Sequence, residues 1–186
     1  MAEGDGAPER WFLDACVLYP LMLRGILMGI GRAGVVRPFW SARVLEEWRI
    51  AAARKGGMAA EAEVRWAAEA LANTFPGGEV VPDEAVEATL RLPDAADVHV
   101  AAGAAAARAR IITFNIRDFP ARRLRAYGLD VEHPDAALWR LHGSAGATVM
   151  GAVASTLEVM DRSEGSTGVR TALKRAGLPR LGKALG

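Results

Sequence analysis

The chain has little cysteine, little histidine and almost no net charge, and each shortage excludes a class of protein. Its single cysteine, Cys16, excludes an intramolecular disulfide and a zinc site built from several cysteines. The three histidines, at positions 99, 133 and 142, do not have the i, i+4 spacing of a helical zinc site. The formal net charge is +1, so no global basic field indicates nucleic-acid binding. Any attraction to RNA must therefore come from local clusters of charge.

Long apolar runs are also missing. The apolar stretch 17–30 is interrupted by Arg24 and by glycines, and it is shorter than the roughly 20 residues that cross a bilayer. The first nine residues have neither the basic start nor the apolar run of a signal peptide. These features predict a cytoplasmic protein without a membrane segment. At 186 residues, the chain suits one large domain, or one domain with an extension.

Short apolar segments alternate with helical segments along the chain. The sequence predicts strands at 11–13, 79–81, 109–113 and 129–131, and helices at 18–31, from Ser41, at 61–71, after Asp94 to 107, and from Pro134. This alternation predicts an α/β fold with a doubly wound parallel sheet. The glycines of 143–146 resemble a hinge. They divide the chain into a domain at 10–142 and a helical C-terminal extension at 143–186, with helices at 147–160 and 167–176.

The active site of such a sheet is expected at the carboxyl ends of its strands, where two acidic residues lie and on which two more can converge. Asp14 ends the first strand, and Asp118 lies in the loop after the strand at 109–113. Asp97 lies in the first turn of the alanine-rich helix, and Glu47 on the helix after the first crossover. Converging carboxylates repel one another unless a cation is bound, and their oxygens suit Mg²⁺ or Mn²⁺. Such an ion activates water and stabilises charge at phosphorus, so the acids predict phosphodiester hydrolysis.

The residues alone leave several choices open. Asp14 lies in an apolar run, where a carboxylate is unfavourable unless it is paired or bound, and this favours a functional role. Asp94 is the expected N-cap, and Asp97 also suits the helix dipole. Either Glu46 or Glu47 would serve as a surface charge.

Other side chains near these acids have two interpretations each. Asn115 suits a turn or a ligand, and Thr113 suits a strand end or a hydrogen bond to a carboxylate. His99 is predicted to be a packing or hydrogen-bonding histidine, with contact to the site as the alternative, and Cys16 is predicted to be an inert buried thiol. Arg117 is predicted to contact RNA phosphates together with the other arginines nearby, at 122, 123 and 125; the alternative is a solvated basic face.

Four segments resemble, in order, the motifs of the PIN-domain ribonuclease family: 12–20, 41–48, 92–102 and 112–119. The resemblance implies a three-layer αβα sandwich around a short parallel sheet over 10–142, with Mg²⁺- or Mn²⁺-dependent endoribonuclease activity. It favours Glu47 over Glu46 and Asp97 over Asp94. The implied catalytic acids are Asp14, Glu47, Asp97 and Asp118. The implied metal ligands are Asp14, Asp97 and Asp118, with Asn115 and Asp94 as further candidates, and the implied substrate contacts are Arg117 and Thr113.

The resemblance also implies partners. Many short bacterial PIN proteins are VapC-type toxins of type II toxin–antitoxin pairs, so the expected partners are RNA, a small antitoxin protein and a second copy of the chain. The chain departs from the family at Asn115, where many relatives have aspartate.

Two other functions compete with the ribonuclease. One is a catalytically weak or inactive PIN-fold protein that binds RNA or protein. The other is a phosphatase with Asp14 as nucleophile, which the sequence disfavours because Cys16 stands where a second aspartate is expected. The basic segment 169–185 is interpreted as a packed helix pair, or else as a binding element for RNA or a partner protein.

Overall fold

A small parallel sheet forms the centre of the fold. The computed structural model describes residues 7–164 and 168–186, with the backbone alone at 162–164. Within these residues the sheet has the order β2-β1-β3-β4. Its strands are β1 (Glu9–Leu13), β2 (Val36–Phe39), β3 (Arg110–Ile112) and β4 (Val131–Glu132). Phe12 pairs with Phe39 on one side and with Ile111 on the other. The predicted α/β class with a parallel sheet is confirmed.

Helices surround this sheet. They are α1 (Ala15–Leu18), α2 (Leu21–Arg32), α3 (Ala42–Thr74), α4 (Glu84–Thr89), α5 (Val98–Ala107), α6 (Ala121–Leu124), α7 (Pro134–Glu164), α8 (Val169–Arg175) and α9 (Pro179–Leu185). The first crossover leads from β1 to β2 on one side of it, and the next leads from β2 to β3 on the other side of β1. Because such crossovers are right-handed, α2 and α5 lie on opposite faces of the sheet. α7 packs along α2, an arrangement consistent with three layers.

Several elements differ from their predicted forms. The sequence analysis does not predict β2, because the strand contains Pro38. The proline is tolerated there because β2 is an edge strand of the sheet. The strand predicted at 79–81 is a single bridge between Glu79 and Trp40. The helices predicted from Ser41 and at 61–71 are parts of α3, which departs from helical geometry at Gly57, where φ is 66°.

Helix starts were easier to predict. The Ser41 hydroxyl accepts from the Val44 N–H at 3.3 Å, as expected of an N-cap. The Asp94 carboxylate accepts from the Ala96 N–H at 2.8 Å, although the element it caps is a 3₁₀ turn (Ala95–Asp97) that leads into α5. Pro134 begins α7 as predicted.

The C-terminal segment packs into the same core as the sheet. α7 continues through the predicted hinge at 143–146, with non-helical angles at Ala145, and the predicted boundary after residue 142 falls inside it. Leu173 and Leu181 are fully buried in the cluster that contains the strand side chains. α8 packs against α9, as the packed-pair interpretation of 169–185 expects.

Two predictions reach beyond the described residues. The helix predicted at 167–176 starts at a residue outside them, and α8 begins at Val169. The signal-peptide prediction depends largely on residues 1–6, which also lie outside them. Within the described part of the chain, no helix is long and apolar enough to cross a membrane.

Gly103 lets α5 approach β1 closely. A Cβ at this position would lie 2.3 Å from Cζ of Phe12, whose ring is fully buried. We expect Gly103→Ala to lower the free energy of unfolding by about 1–2 kcal/mol, because overpacking outweighs the roughly 1 kcal/mol that alanine gains over glycine in a helix. Urea denaturation measures the change.

Gly151→Ala is the matched control. Gly151 is exposed on α7, and a Cβ at this position would have no neighbouring atom within 4 Å. It should stabilise the protein slightly. Equal stabilisation by both substitutions would contradict the close packing at Gly103.

Candidate metal centre

The candidate site lies where β1 and β3 run side by side. From β1 the chain first moves to β2 and then returns to β3 on the other side, so the topology reverses between these two strands. In open α/β sheets, ligands bind at the carboxyl ends of the strands at such a point. Asp14 follows β1 there, and its N–H donates to the Ile112 carbonyl at 3.1 Å.

Asp14 is held in place by two neighbouring side chains. Its side chain is only 6% exposed, and its Oδ2 accepts from the Thr113 hydroxyl at 2.5 Å and from the Cys16 thiol at 3.1 Å. The Thr113 hydroxyl also accepts from the Asn115 N–H at 3.0 Å, so one buried side chain orients both Asp14 and the turn after β3. This gives Thr113 a positioning role, and its contact with substrate stays a prediction.

Cys16 acts as a neutral donor in this arrangement. Burial, together with the negative charge of Asp14, raises the pKa of its thiol to about 12. A thiol that stays protonated is a poor nucleophile, which agrees with the prediction of an inert cysteine.

The pKa of Asp97 is affected by the other acids of the candidate site. Burial raises the pKa of Asp97 to about 6, and negative charges on four other side chains contribute: Asp14, Asp94, Asp118 and Glu47. Because repulsion between charges weakens with distance, this effect is consistent with four acids in the surroundings of Asp97. The side chain of Asp97 makes no capping hydrogen bond to α5 and therefore has no structural role of that kind.

Glu47 faces the other acids, whereas Glu46 does not. Burial and the charge of Asp14 raise the pKa of Glu47, although Arg43 opposes this effect. Glu46 is paired instead with Arg49, with the nearest atoms 2.6 Å apart. Neighbouring positions on a helix point about 100° apart, so only one of the two glutamates can face the site.

Sequence reasoning missed Arg43 and favoured a packing or hydrogen-bonding role for His99, with contact to the site as the alternative. Arg43 Nε donates to Glu47 at 3.4 Å and Nη2 donates to the Ala96 carbonyl at 3.3 Å. The i, i+4 spacing of Arg43 and Glu47 on one helix was the signal that could have found this contact.

His99 lies behind Glu47 and is 1% exposed. Its Nε2 is 2.9 Å from Glu47 Oε1, but the two atoms are not aligned for a hydrogen bond, and Nδ1 has no partner among the described residues. Burial and the charge of Arg43 lower the pKa of His99 to about 4, so the imidazole is neutral at pH 7.

The turn after β3 carries the remaining predicted residues. Asp118 ends a 3₁₀ turn (Ile116–Asp118), and its N–H donates to the Asn115 carbonyl at 3.0 Å. Asp118 is half-buried and acts on Asp97, whereas Asn115 is exposed and its side chain makes no capping hydrogen bond. Arg117 is exposed in the same turn, and the arginines at 122, 123 and 125 are exposed just beyond it.

The donor set suits a hard cation. Asp14, Asp94, Asp97, Asp118 and Glu47 offer only carboxylate oxygens, which Mg²⁺ and Mn²⁺ prefer. Among the described residues, no three His, Cys, Asp or Glu side chains form a group that could hold an ion directly. Mg²⁺ usually keeps several of its waters, so the arrangement suits an ion held partly through water.

The function has to be inferred from the site itself, because no protein-family model, curated protein or solved structure matches the chain. Two properties of the site carry the inference. Asp14 lies at the point of topological reversal, and among the described residues Glu47 is the one of the five carboxylates that contacts an arginine, Arg43.

Proposed function

We propose that the chain is a metal-dependent endoribonuclease that hydrolyses RNA phosphodiester bonds and has a PIN-like three-layer fold over 10–142. The observation that carries the proposal is the position of the buried Asp14 carboxylate at the point of topological reversal, held by the Thr113 hydroxyl; the raised pKa of Asp97, to which four neighbouring acids contribute, supports it. Such a group of like charges is unfavourable unless a cation neutralises it. The sheet order and the helices on both faces support the PIN-like fold.

The residues divide the work as follows. Asp14, Asp97 and Asp118 would hold Mg²⁺ or Mn²⁺, with Asp94 and Asn115 as further candidate ligands. The bound ion supplies a water of lowered pKa and stabilises the charge that develops at phosphorus. The Thr113 hydroxyl fixes the orientation of the Asp14 carboxylate. Glu47 is the fourth catalytic acid, and Arg117 offers its charge to RNA phosphates.

The proposal extends to biological context. The four motifs that resemble the PIN family favour the toxin of a bacterial type II toxin–antitoxin pair. Its partners would be RNA, a small antitoxin and a second copy of this chain, in the cytoplasm. A small DNA-binding protein encoded by the neighbouring reading frame would support this part of the proposal, and its absence would count against it.

Removing the metal should abolish activity. We expect the purified chain to cut single-stranded RNA in Mn²⁺ and to stop when EDTA is added, because the activated water depends on the ion. Electrophoresis of a labelled RNA measures the products. Adding excess Mn²⁺ should restore cleavage, and undiminished cleavage in EDTA would contradict the proposal.

A second function, an inactive PIN-like module that binds RNA or protein, is favoured by one observation. No group of three potential ligands stands ready to hold an ion within the described residues. Calorimetric titration with Mn²⁺ separates the two functions. Saturable binding that is lost in Asp97→Asn supports the nuclease, and absence of saturable binding supports the binding module.

A further inference from the structure

A cavity of about 320 Å³ lies beside the carboxylates and has no part in the proposed chemistry. Its apolar walls include Leu90, Leu92 and Val98, and four ionisable residues also line it: Arg43, Glu87, Arg91 and His99. Leu90 is buried, and Leu92 and Val98 are partly buried, so the cavity has apolar walls below a rim that carries both signs of charge.

Two residues connect this cavity to the candidate metal centre. Arg43 lines the cavity and also donates to Glu47 at 3.4 Å. His99 lines the cavity, and its Nε2 is 2.9 Å from Glu47 Oε1. Any occupant of the cavity therefore lies next to the acids.

The lining favours a flat, mostly apolar group over a phosphate. Arg91 Nη1 already donates to the Ala88 and Leu90 carbonyls, both at 2.9 Å, and Arg43 donates to the Ala96 carbonyl. A guanidinium anchored in this way keeps its planar face for stacking on a base. A phosphate would also meet the negative charge of Glu87 in the same lining, whereas a neutral base would not.

His99 supplies a polar group that lacks a partner. Its Nδ1 is buried and makes no hydrogen bond within the described residues. Buried polar atoms are nearly always paired, so an orphaned one points to a missing partner. Because both ring nitrogens are closed off from solvent, a hydrogen bond from His99 to the edge of a base requires the ring to turn toward the cavity.

We propose that this cavity binds a nucleobase of single-stranded RNA, beside the bond that is cut. The inference rests on the proposed ribonuclease function, because that function places the scissile phosphate at the neighbouring acids. It adds the part of the substrate that the protein recognises by shape and stacking.

The test compares a labelled RNA hexamer with an otherwise identical abasic hexamer. Fluorescence anisotropy in EDTA at low salt gives both affinities without cleavage. We expect the wild type to bind the intact hexamer roughly 5- to 150-fold more tightly, the range for stacking one base. Arg91→Ala and Leu92→Ala should each lose most of that preference. Arg32→Ala is the control, because this exposed arginine ends α2 near the start of β2, at the opposite edge of the sheet.

Three results would overturn the cavity proposal: equal binding of both hexamers by the wild type, full preference in both cavity variants, or equal weakening of both hexamers by Arg91→Ala with no effect of Leu92→Ala. The last result would indicate a phosphate subsite.

Cleavage in Mn²⁺ is measured in parallel. If cleavage occurs with any of the three, the ribonuclease stands and the cavity proposal fails. If the wild type does not cut RNA but the cavity variants lose the preference, the ribonuclease fails and the base-binding cavity stands.

Discussion

Replacing Asp14 by asparagine should lower RNA cleavage roughly 100- to 10,000-fold while the fold is retained, since a metal centre contributes several kcal/mol to catalysis and each 1.36 kcal/mol is tenfold in rate. Asparagine has nearly the same shape, and its carbonyl can still accept from the Thr113 hydroxyl. It loses the negative charge that the cation requires. Single-turnover cleavage in Mn²⁺ measures the loss, and circular dichroism checks the fold.

Asp130→Asn is the matched control for this substitution. Asp130 is exposed, precedes β4 at the amino edge of the sheet, and lies 3.8 Å from Arg110. Like Asp14→Asn, this substitution removes one negative charge, but at the end of the sheet that lacks the candidate site. Cleavage should therefore be unaffected. Wild-type cleavage by Asp14→Asn would refute the assignment of Asp14 to the centre.

Replacing Asp135 by alanine should lower the free energy of unfolding by about 3–5 kcal/mol, because hydrogen bonds to a charged group contribute about 1.5–3 kcal/mol each. The buried Asp135 carboxylate accepts from the Arg180 and Leu181 N–H groups at 2.9 and 3.0 Å. These are first-turn N–H groups of α9, which otherwise lack partners. Urea denaturation measures the loss, and limited proteolysis should find α9 cut earlier.

Asp135→Asn tests whether the effect comes from these hydrogen bonds. An amide keeps one acceptor oxygen, so this variant should lose about half as much stability as alanine. An alanine variant as stable as the wild type would contradict the role of Asp135. A separate, unchanged unfolding transition for 10–142 would show that the C-terminal extension folds independently.

Sequence reasoning worked best where the cause is local. β1 and β3 each end in a short apolar run, and Ser41 is followed by a helical pattern that needs a cap, so these features depend on a few adjacent residues. β2 was missed for two reasons. Its strand pairing is with β1, more than twenty positions away in the chain, and Pro38 interrupts its apolar pattern.

The site shows the same limit. The residues alone do not separate the adjacent Glu46 and Glu47, and only the resemblance to a family favours Glu47. In the fold, His99, 52 positions further on, lies beside Glu47. Asp94 and Asp97 are likewise distinguished by what surrounds them, since one caps a turn and the other is repelled by four acids. The cavity beside Arg43 requires two segments to meet and has no local pattern at all.

The hydrogen bond between Thr113 and Asp14 has a consequence for biosynthesis. It joins positions 99 residues apart, and the other acids lie within that interval except Asp118, which follows Thr113 by five positions. A chain leaving the ribosome therefore has no assembled centre until β3 and the turn after it have emerged. Pairing between distant segments is also slow to form. Because an ion that binds only the folded state stabilises that state by mass action, metal would act on the finished protein and not on the nascent one.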